Sequence, residues 1–233
     1  MDAPTPDESE DAVPTPSRTD KADVTSRRIA DYIRSAILSG EYPPGSRIRQ
    51  EEIAERLGSS RIPVREAMRM VEADGLVTLK PYSGARVVDL DYAEFDTAYR
   101  IRERLDPLAL VQSLQNITDR DIDRLEEIEA EVETAPSPDR FVLLDREFHL
   151  ATYVGCKDTQ LLSTITRFWN TTQHYRRAYA QLIDDNGRLI IKYEHRLLID
   201  AIRRRDAVDA ERFLSGHIRR TRITLAEHPE RFD

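Results

Sequence analysis

Residues 40–87 read GEYPPGSRIRQEEIAERLGSSRIPVREAMRMVEADGLVTLKPYSGARV, and the order of breakers and periodic runs in this stretch decides the N-terminal fold. Pro43-Pro44-Gly45 cannot continue a helix. The segment before it, where Ile29, Ile33, Ala36 and Ile37 recur at helical spacing, is therefore a first helix over about 25–39 that ends at Gly40. A second helix covers about 50–57, with Ile53, Ala54 and Leu57 inward, and stops at Gly58. Ser60 suits the N-cap of a third helix over about 61–73, whose first turn tolerates Pro63. Asp74-Gly75 breaks that helix. LVTLK and ARVVDL then read as short strands joined by the turn Pro81-Tyr82-Ser83-Gly84. Helices two and three, linked by Leu57-Gly58-Ser59-Ser60, fit a helix-turn-helix, and the hairpin fits a wing. Arg61, Arg65 and Arg69 are spaced by four and share one face of helix three, while Val64, Met68 and Val71 lie opposite and can pack a core. Such a face can be merely solvated. The hairpin and the Gly58 turn favour a nucleic-acid surface, where arginine grips guanine or phosphate bidentately.

The chain has 233 residues, 39% apolar and 33% charged, which is a globular composition with no run long enough to span a membrane. No apolar segment follows a basic start, so a secretory signal is not expected, and the single Cys156 excludes an internal disulfide and any cysteine-based zinc module. A cytoplasmic protein is the expectation. The net charge of −8 is unevenly spread. Residues 1–22, rich in Pro, Asp and Glu, read as a disordered acidic tail; residues 23–90 alone are not acidic; residues 91–233 are acidic again. After Leu90 the chain reads as helices at about 93–114, 118–133, 138–153, 158–182, 187–204 and 207–226, an all-α antiparallel bundle behind the winged helix.

The stretch resembles the winged-helix domain of the GntR superfamily of bacterial transcription regulators. Pro44-Gly45, Ile53-Ala54, Leu57-Gly58, Ser60-Arg61, Pro63-Val64-Arg65-Glu66-Ala67, Gly75-Leu76-Val77 and Gly84 carry the likeness. The resemblance implies that Ser60, Arg61 and Arg65 contact double-stranded DNA, with Gly84 at the wing. Members often carry a basic residue early in helix two; here that helix opens Gln50-Glu51-Glu52, and Arg49 is the nearest substitute.

In the bundle, Asp145 precedes His149 by four residues, so carboxylate and imidazole leave one helical face, and His195 and His217 sit in apolar helical patterns elsewhere. An aspartate with three histidines suits zinc or another borderline divalent ion. Each histidine could equally be a hydrogen-bonded core residue. The C-terminal half, however, is similar to the FCD effector domain of the FadR-like GntR branch, which implies one divalent metal per protomer held by Asp145, His149, His195 and His217: zinc first, nickel or manganese as alternatives. Neutral imidazoles are required, so ordinary histidine behaviour places metal loss below about pH 6.5. Tyr99 to Asp106 resembles the family's opening helix. Arg102 there takes the place of an arginine that faces the ligand cavity, Arg146 is a second basic candidate, and Asp106 stands where relatives commonly have Glu. The alternative for Arg102 is a solvated surface arginine.

The expectation is a homodimeric, non-enzymatic transcription regulator that reads a pseudo-palindromic operator and senses a small carboxylate through a metal-containing domain. Two alternatives stand beside it. One is a metal-dependent hydrolase-like bundle; the other is a DNA-binding regulator whose metal is purely structural.

Overall fold

The apolar row at Ile29, Ile33 and Ile37 closes on Ile53, Val64, Met68 and Val71, forming the first of two hydrophobic cores. The computed structural model describes residues 18–80 and 84–232, with side chains from Asp23 onward. Three helices carry this core: α1 (Arg18–Leu38), α2 (Gln50–Arg56) and α3 (Arg61–Ala73). Helix α1 begins inside the stretch expected to be disordered, so helix replaces tail from Arg18; residues 1–17 lie outside the described residues. The strands are β1 (Arg47–Ile48), β2 (Val77–Lys80) and β3 (Gly84–Val87), in the antiparallel order β1-β3-β2. Their register pairs Ile48 and Leu79 with Ala85 on the core face, while Arg47, Thr78 and Arg86 project outward. The turn expected from Pro81 to Ser83 lies outside the described residues. Gly84, at its edge, has φ +76°, and a side chain there would crowd the Ile48 carbonyl at 3.3 Å.

Seven helices build the second core: α4 (Tyr92–Ser113), α5 (Asp119–Glu133), α6 (Pro138–Thr152), α7 (Thr159–Thr171), α8 (Gln173–Leu182), α9 (Asp185–Arg203) and α10 (Ala207–Ala226). Most begin at a side-chain cap that satisfies an orphan N–H: Asp91, Thr118, Ser137, Asp158, Asp184 and Asp206. Helix α4 runs through Pro107, which cannot donate to the Glu103 carbonyl; the Ser215 hydroxyl of α10 donates to that carbonyl instead, at 3.2 Å. Among the described residues, no helix is long and apolar enough to cross a membrane.

The helix expected over about 158–182 is two helices, broken at Thr172. The Thr172 hydroxyl and amide both donate to the Phe168 carbonyl, at 2.7 and 3.1 Å, which tightens the last turn and ends α7. The break positions α7 and α8 against the N-terminal unit. Arg167 lies so close over Gly75 (φ +76°) that an added Cβ would sit 2.6 Å from its Cγ. Arg177 donates to the Leu38 carbonyl at 3.1 Å, and the Leu90 amide donates to the Tyr175 hydroxyl at 3.0 Å.

Candidate functional site

The N-terminal unit presents its arginines outward. Ser60 occupies the N-cap of α3 in extended conformation and makes no side-chain capping bond. Arg61, Arg65 and Arg69 are all exposed along α3, and Arg49, at the N-cap of α2, is exposed beside them. Their partners are surface carboxylates: Glu51 to Arg61 at 3.3 Å, Glu52 to Arg49 at 3.3 Å, Glu66 to Arg65 and Arg69 at 3.9 and 3.4 Å. Exposed pairs of this kind contribute about 0–1 kcal/mol, so a phosphate can displace them. Arg47 and Arg86, opposite each other on β1 and β3, extend the basic surface toward the wing. Sequence reading did not single them out, because β1 is only two residues long.

In the bundle, α6, α9 and α10 bring Asp145, His149, His195 and His217 together, with one donor atom of each within 4.8 Å of the others. All four are buried. The Nε2 atoms of His149 and His217 are 3.2 Å apart, and Asp145 Oδ1 lies 3.7 Å from His149 Nε2 and 3.6 Å from His195 Nε2. Tetrahedral bonds of about 2.0–2.1 Å separate neighbouring ligand atoms by about 3.3 Å, so these donors fit a small divalent ion with slight adjustment. Two of the three outer ring nitrogens, those of His195 and His217, are held as metal-bound histidines require. His195 Nδ1 is 2.5 Å from Glu129 Oε2, and His217 Nδ1 is 3.0 Å from Glu194 Oε2. A carboxylate on Nδ1 turns the Nε2 lone pair inward. His195 Nε2 has no protein partner, while His149 lacks an outer one, its Nδ1 being buried and unpaired.

Burial keeps these imidazoles neutral. It lowers His195 to about 3 and His217 to about 4, the latter against an opposing hydrogen bond from Glu194. His149 falls well below the usual histidine range through burial and then the neighbouring His217 and His195. The expectation of proton competition from pH 6.5 is therefore corrected downward. Burial also pushes Glu129 up to about 8, with Glu133 adding to the rise, so a cation at the donor set would be what favours its carboxylate form opposite His195 Nδ1.

Beside the four donors lies a cluster of arginines around Trp169. The Arg102 and Arg176 guanidinium carbons stand 4.0 and 3.9 Å from its ring centre, and Arg146 stands 5.8 Å away. Arg102 is not a solvated arginine: it is 1% exposed and donates to Asp106 through Nη2 at 3.0 Å and Nε at 3.3 Å. The Tyr153 hydroxyl and Trp169 Nε1 also donate to Asp106, at 3.2 and 3.1 Å, so this carboxylate anchors the cluster. Burial works against the Arg102 charge, but Asp106 and two nearby phenols more than offset it and raise its pKa. Arg176 binds Asp145 through Oδ2, leaving Oδ1 turned to the histidines. Burial lowers both Arg146 and Arg176 to about 10, aided at Arg146 by repulsion from Arg102, and both stay charged at neutral pH. Arg102 Nη1 and Arg146 Nη1 are buried without hydrogen-bond partners. Sequence reading missed Arg176 and Trp169 entirely. The cavity between Asp145, Arg176, Tyr179 and His217 is about 10 Å³, room for roughly one water, so a larger guest enters only if side chains move.

Comparison with known proteins places both halves. The description "Bacterial regulatory proteins, gntR family" matches residues 25–87, and the FCD domain matches residues 97–220. The chain is 30% identical over 207 residues to a probable D-xylose utilization operon transcriptional repressor of Paenarthrobacter nicotinovorans, covering 88% of this chain and 89% of that protein. It is 26% identical over 222 residues to the Uxu operon regulator of Haemophilus influenzae, covering 87% and 82%. Among solved structures, McbR/YncC of Escherichia coli superposes with a TM-score of 0.77 at 21% identity, over 87% of this chain and 97% of that one, a likeness of fold.

Proposed function

Because the chain belongs to the GntR family of bacterial regulatory proteins, carries an FCD domain and is a DNA-binding transcriptional regulator rather than an enzyme, we propose that it couples a metal-assisted anion sensor in residues 91–233 to operator binding by residues 23–90. Membership of this family removes the need for the hydrolase alternative. Asp145, His149, His195 and His217 hold one divalent ion, zinc being the best match to three imidazoles and one carboxylate. The ion supplies a positive charge at which an acidic oxygen can be held. The protein's own groups do the rest: Glu129 and Glu194 orient imidazoles, Arg176 fixes Asp145, and Arg102 and Arg146 offer guanidinium N–H groups to a second oxygen or a distal acid group.

The observation that carries this reading is the set of buried guanidinium nitrogens without partners beside the donor set. Three arginines face only two partner carboxylates, Asp106 and Asp145, and a divalent ion adds to the excess of positive charge. A small organic acid of one or more negative charges balances it. Arg49, Ser60, Arg61, Arg65 and Gly84 form the DNA-contacting surface, used twice by a homodimer on a pseudo-palindromic operator. A ligand that prefers one arrangement of the bundle then changes DNA affinity by the same factor that DNA changes ligand affinity.

The test is calorimetric titration of hydroxy-acids and dicarboxylates into metal-loaded wild type, metal-free protein and Arg102→Lys, which keeps the charge beside Asp106 but loses the free Nη1 donor. Binding by wild type that weakens in both altered forms supports the reading. An acid that binds all three forms equally removes Arg102 and the metal from the sensor. Metal-loaded protein that binds none of the acids leaves the metal structural.

A further inference from the structure

Trp169 and Asn170 are consecutive on α7, and their side chains face different neighbours: Trp169 the arginine cluster, Asn170 the N-terminal unit. Asn170 is 8% exposed and makes two hydrogen bonds of opposite polarity. Its Oδ1 accepts from Arg146 Nη2 at 2.6 Å, and its Nδ2 donates to the Asp74 backbone carbonyl at 2.8 Å. The amide orientation is chemically fixed: turned over, it would set NH₂ against a guanidinium and oxygen against a carbonyl. Asp74 is the C-cap of α3, where carbonyls have no partner within the helix. Its side chain is separately tied to α1, where Arg34 Nε donates to Oδ2 at 2.6 Å.

We propose that Asn170 is the positioning residue that transmits the state of the arginine cluster to the recognition helix, through Arg146 on one side and the Asp74 carbonyl on the other. The proposal rests on the cluster being the sensing site. Arg146 directly follows the metal-ligating candidate Asp145, and its Nη1 is buried and unpaired while its Nη2 holds Asn170. An anion that engages Arg146 draws the guanidinium off Asn170. The amide then loses the charged partner that fixed its rotation, and its grip on Asp74 loosens. Helix α3 is rigid and about 20 Å long, so release at Asp74 is felt at Ser60, Arg61 and Arg65 at its other end. Other contacts across the junction, among them Arg177 to Leu38, Arg167 over Gly75 and the Leu90 amide to Tyr175, do not involve the arginine cluster and keep the two units together.

The experiment is hydrogen exchange at the Asp74, Gly75 and Leu76 amides, which bond to the Met70, Glu72 and Val71 carbonyls at the end of α3. The full chain as purified is compared with Asn170→Asp, Asn170→Ser, Arg146→Met and the double variant Asn170→Ser/Arg146→Met. Asn170→Asp keeps an acceptor for Arg146 but loses the donor to Asp74, and should speed exchange there about fivefold, the effect of one ordinary hydrogen bond. Arg146→Met should speed the same amides, although it touches none of them, and should add nothing once Asn170 is Ser, a background that leaves no buried carboxylate unpaired. The same non-additivity is expected in the affinity for a duplex selected by the wild type. Unchanged exchange at Asp74 to Leu76 in Arg146→Met, or effects that multiply in the double variant, would overturn the proposal. Asn170→Ser breaks both bonds without adding charge, so it carries the cycle even should Asn170→Asp fail to fold. Neither readout uses an added anion or metal, so this result stands or falls apart from the sensing function itself.

Discussion

Replacing Asp106 by alanine removes the one carboxylate that serves Arg102, Tyr153 and Trp169 together in a fully buried place. Breaking a buried ion pair from one side costs about 3–5 kcal/mol, because the remaining charge stays desolvated and unpaired. The Tyr153 and Trp169 donors each add a penalty of about 1–3 kcal/mol when left without an acceptor. These terms are not strictly additive, and about 5 kcal/mol is the reasonable total. It is comparable with the whole stability of a domain, about 5–15 kcal/mol. At about 3 °C per kcal/mol for a unit of this size, the bundle should melt about 15 °C lower. Differential scanning calorimetry of the full chain reads this directly, with the transition of the N-terminal unit as an internal control. The double variant Arg102→Met/Asp106→Leu removes both charges and should recover much of the loss, leaving mainly the two orphaned donors. An Asp106→Ala protein that melts with wild type, or a double variant no better than the single one, would refute the account of this anchor.

Arg65→Ala should weaken binding to a selected duplex by about 1–3 kcal/mol and relax preference at one position per half-site, measured by fluorescence anisotropy. Glu194→Gln keeps an acceptor for His217 Nδ1 but loses the charge, and should weaken the metal by about 10–100-fold in a chelator competition. Metal retention should be flat from pH 7 to about 5 and fall only near pH 4. The sign follows from depressed pKa values: protons compete for His217 only near 4 and for His195 near 3, and metal release at pH 6 in equilibrium dialysis would contradict it.

The N-terminal unit was legible because glycine and proline mark its boundaries: Gly40, Gly58 and Gly75 each follow a helix, and each has positive φ. The α7–α8 break was not, since Thr172 is no breaker by composition and acts through a local bond to Phe168. The same break hid Arg176. The run Gln173-His174-Tyr175-Arg176-Arg177 has no apolar row to mark an inward face, yet Gln173, Tyr175 and Arg176 are buried. The donor set stood out because its histidines interrupt apolar helical patterns. Glu129 carried no such mark: it lies on α5 among many acidic residues, and only the fold brings it to His195. Glu194, adjacent to His195 in sequence but bonded to His217, shows that chain neighbours need not be the partners. Asp106 reads as one more charge in an Arg- and Glu-rich helix until Tyr153 and Trp169 arrive from elsewhere in the chain.

Asp145, His149, His195 and His217 are either metal ligands or hydrogen-bonded core residues, and the sensing function stands on the first. Elemental analysis of protein purified without chelator, beside the variant His195→Ala/His217→Ala, decides between them. The wild type should carry one divalent ion per chain and the variant should retain none, with the DNA-binding unit still folded. Metal at full occupancy in the variant, or a wild type that takes up no divalent ion when supplied with zinc, nickel and manganese in turn, would contradict metal ligation by these residues.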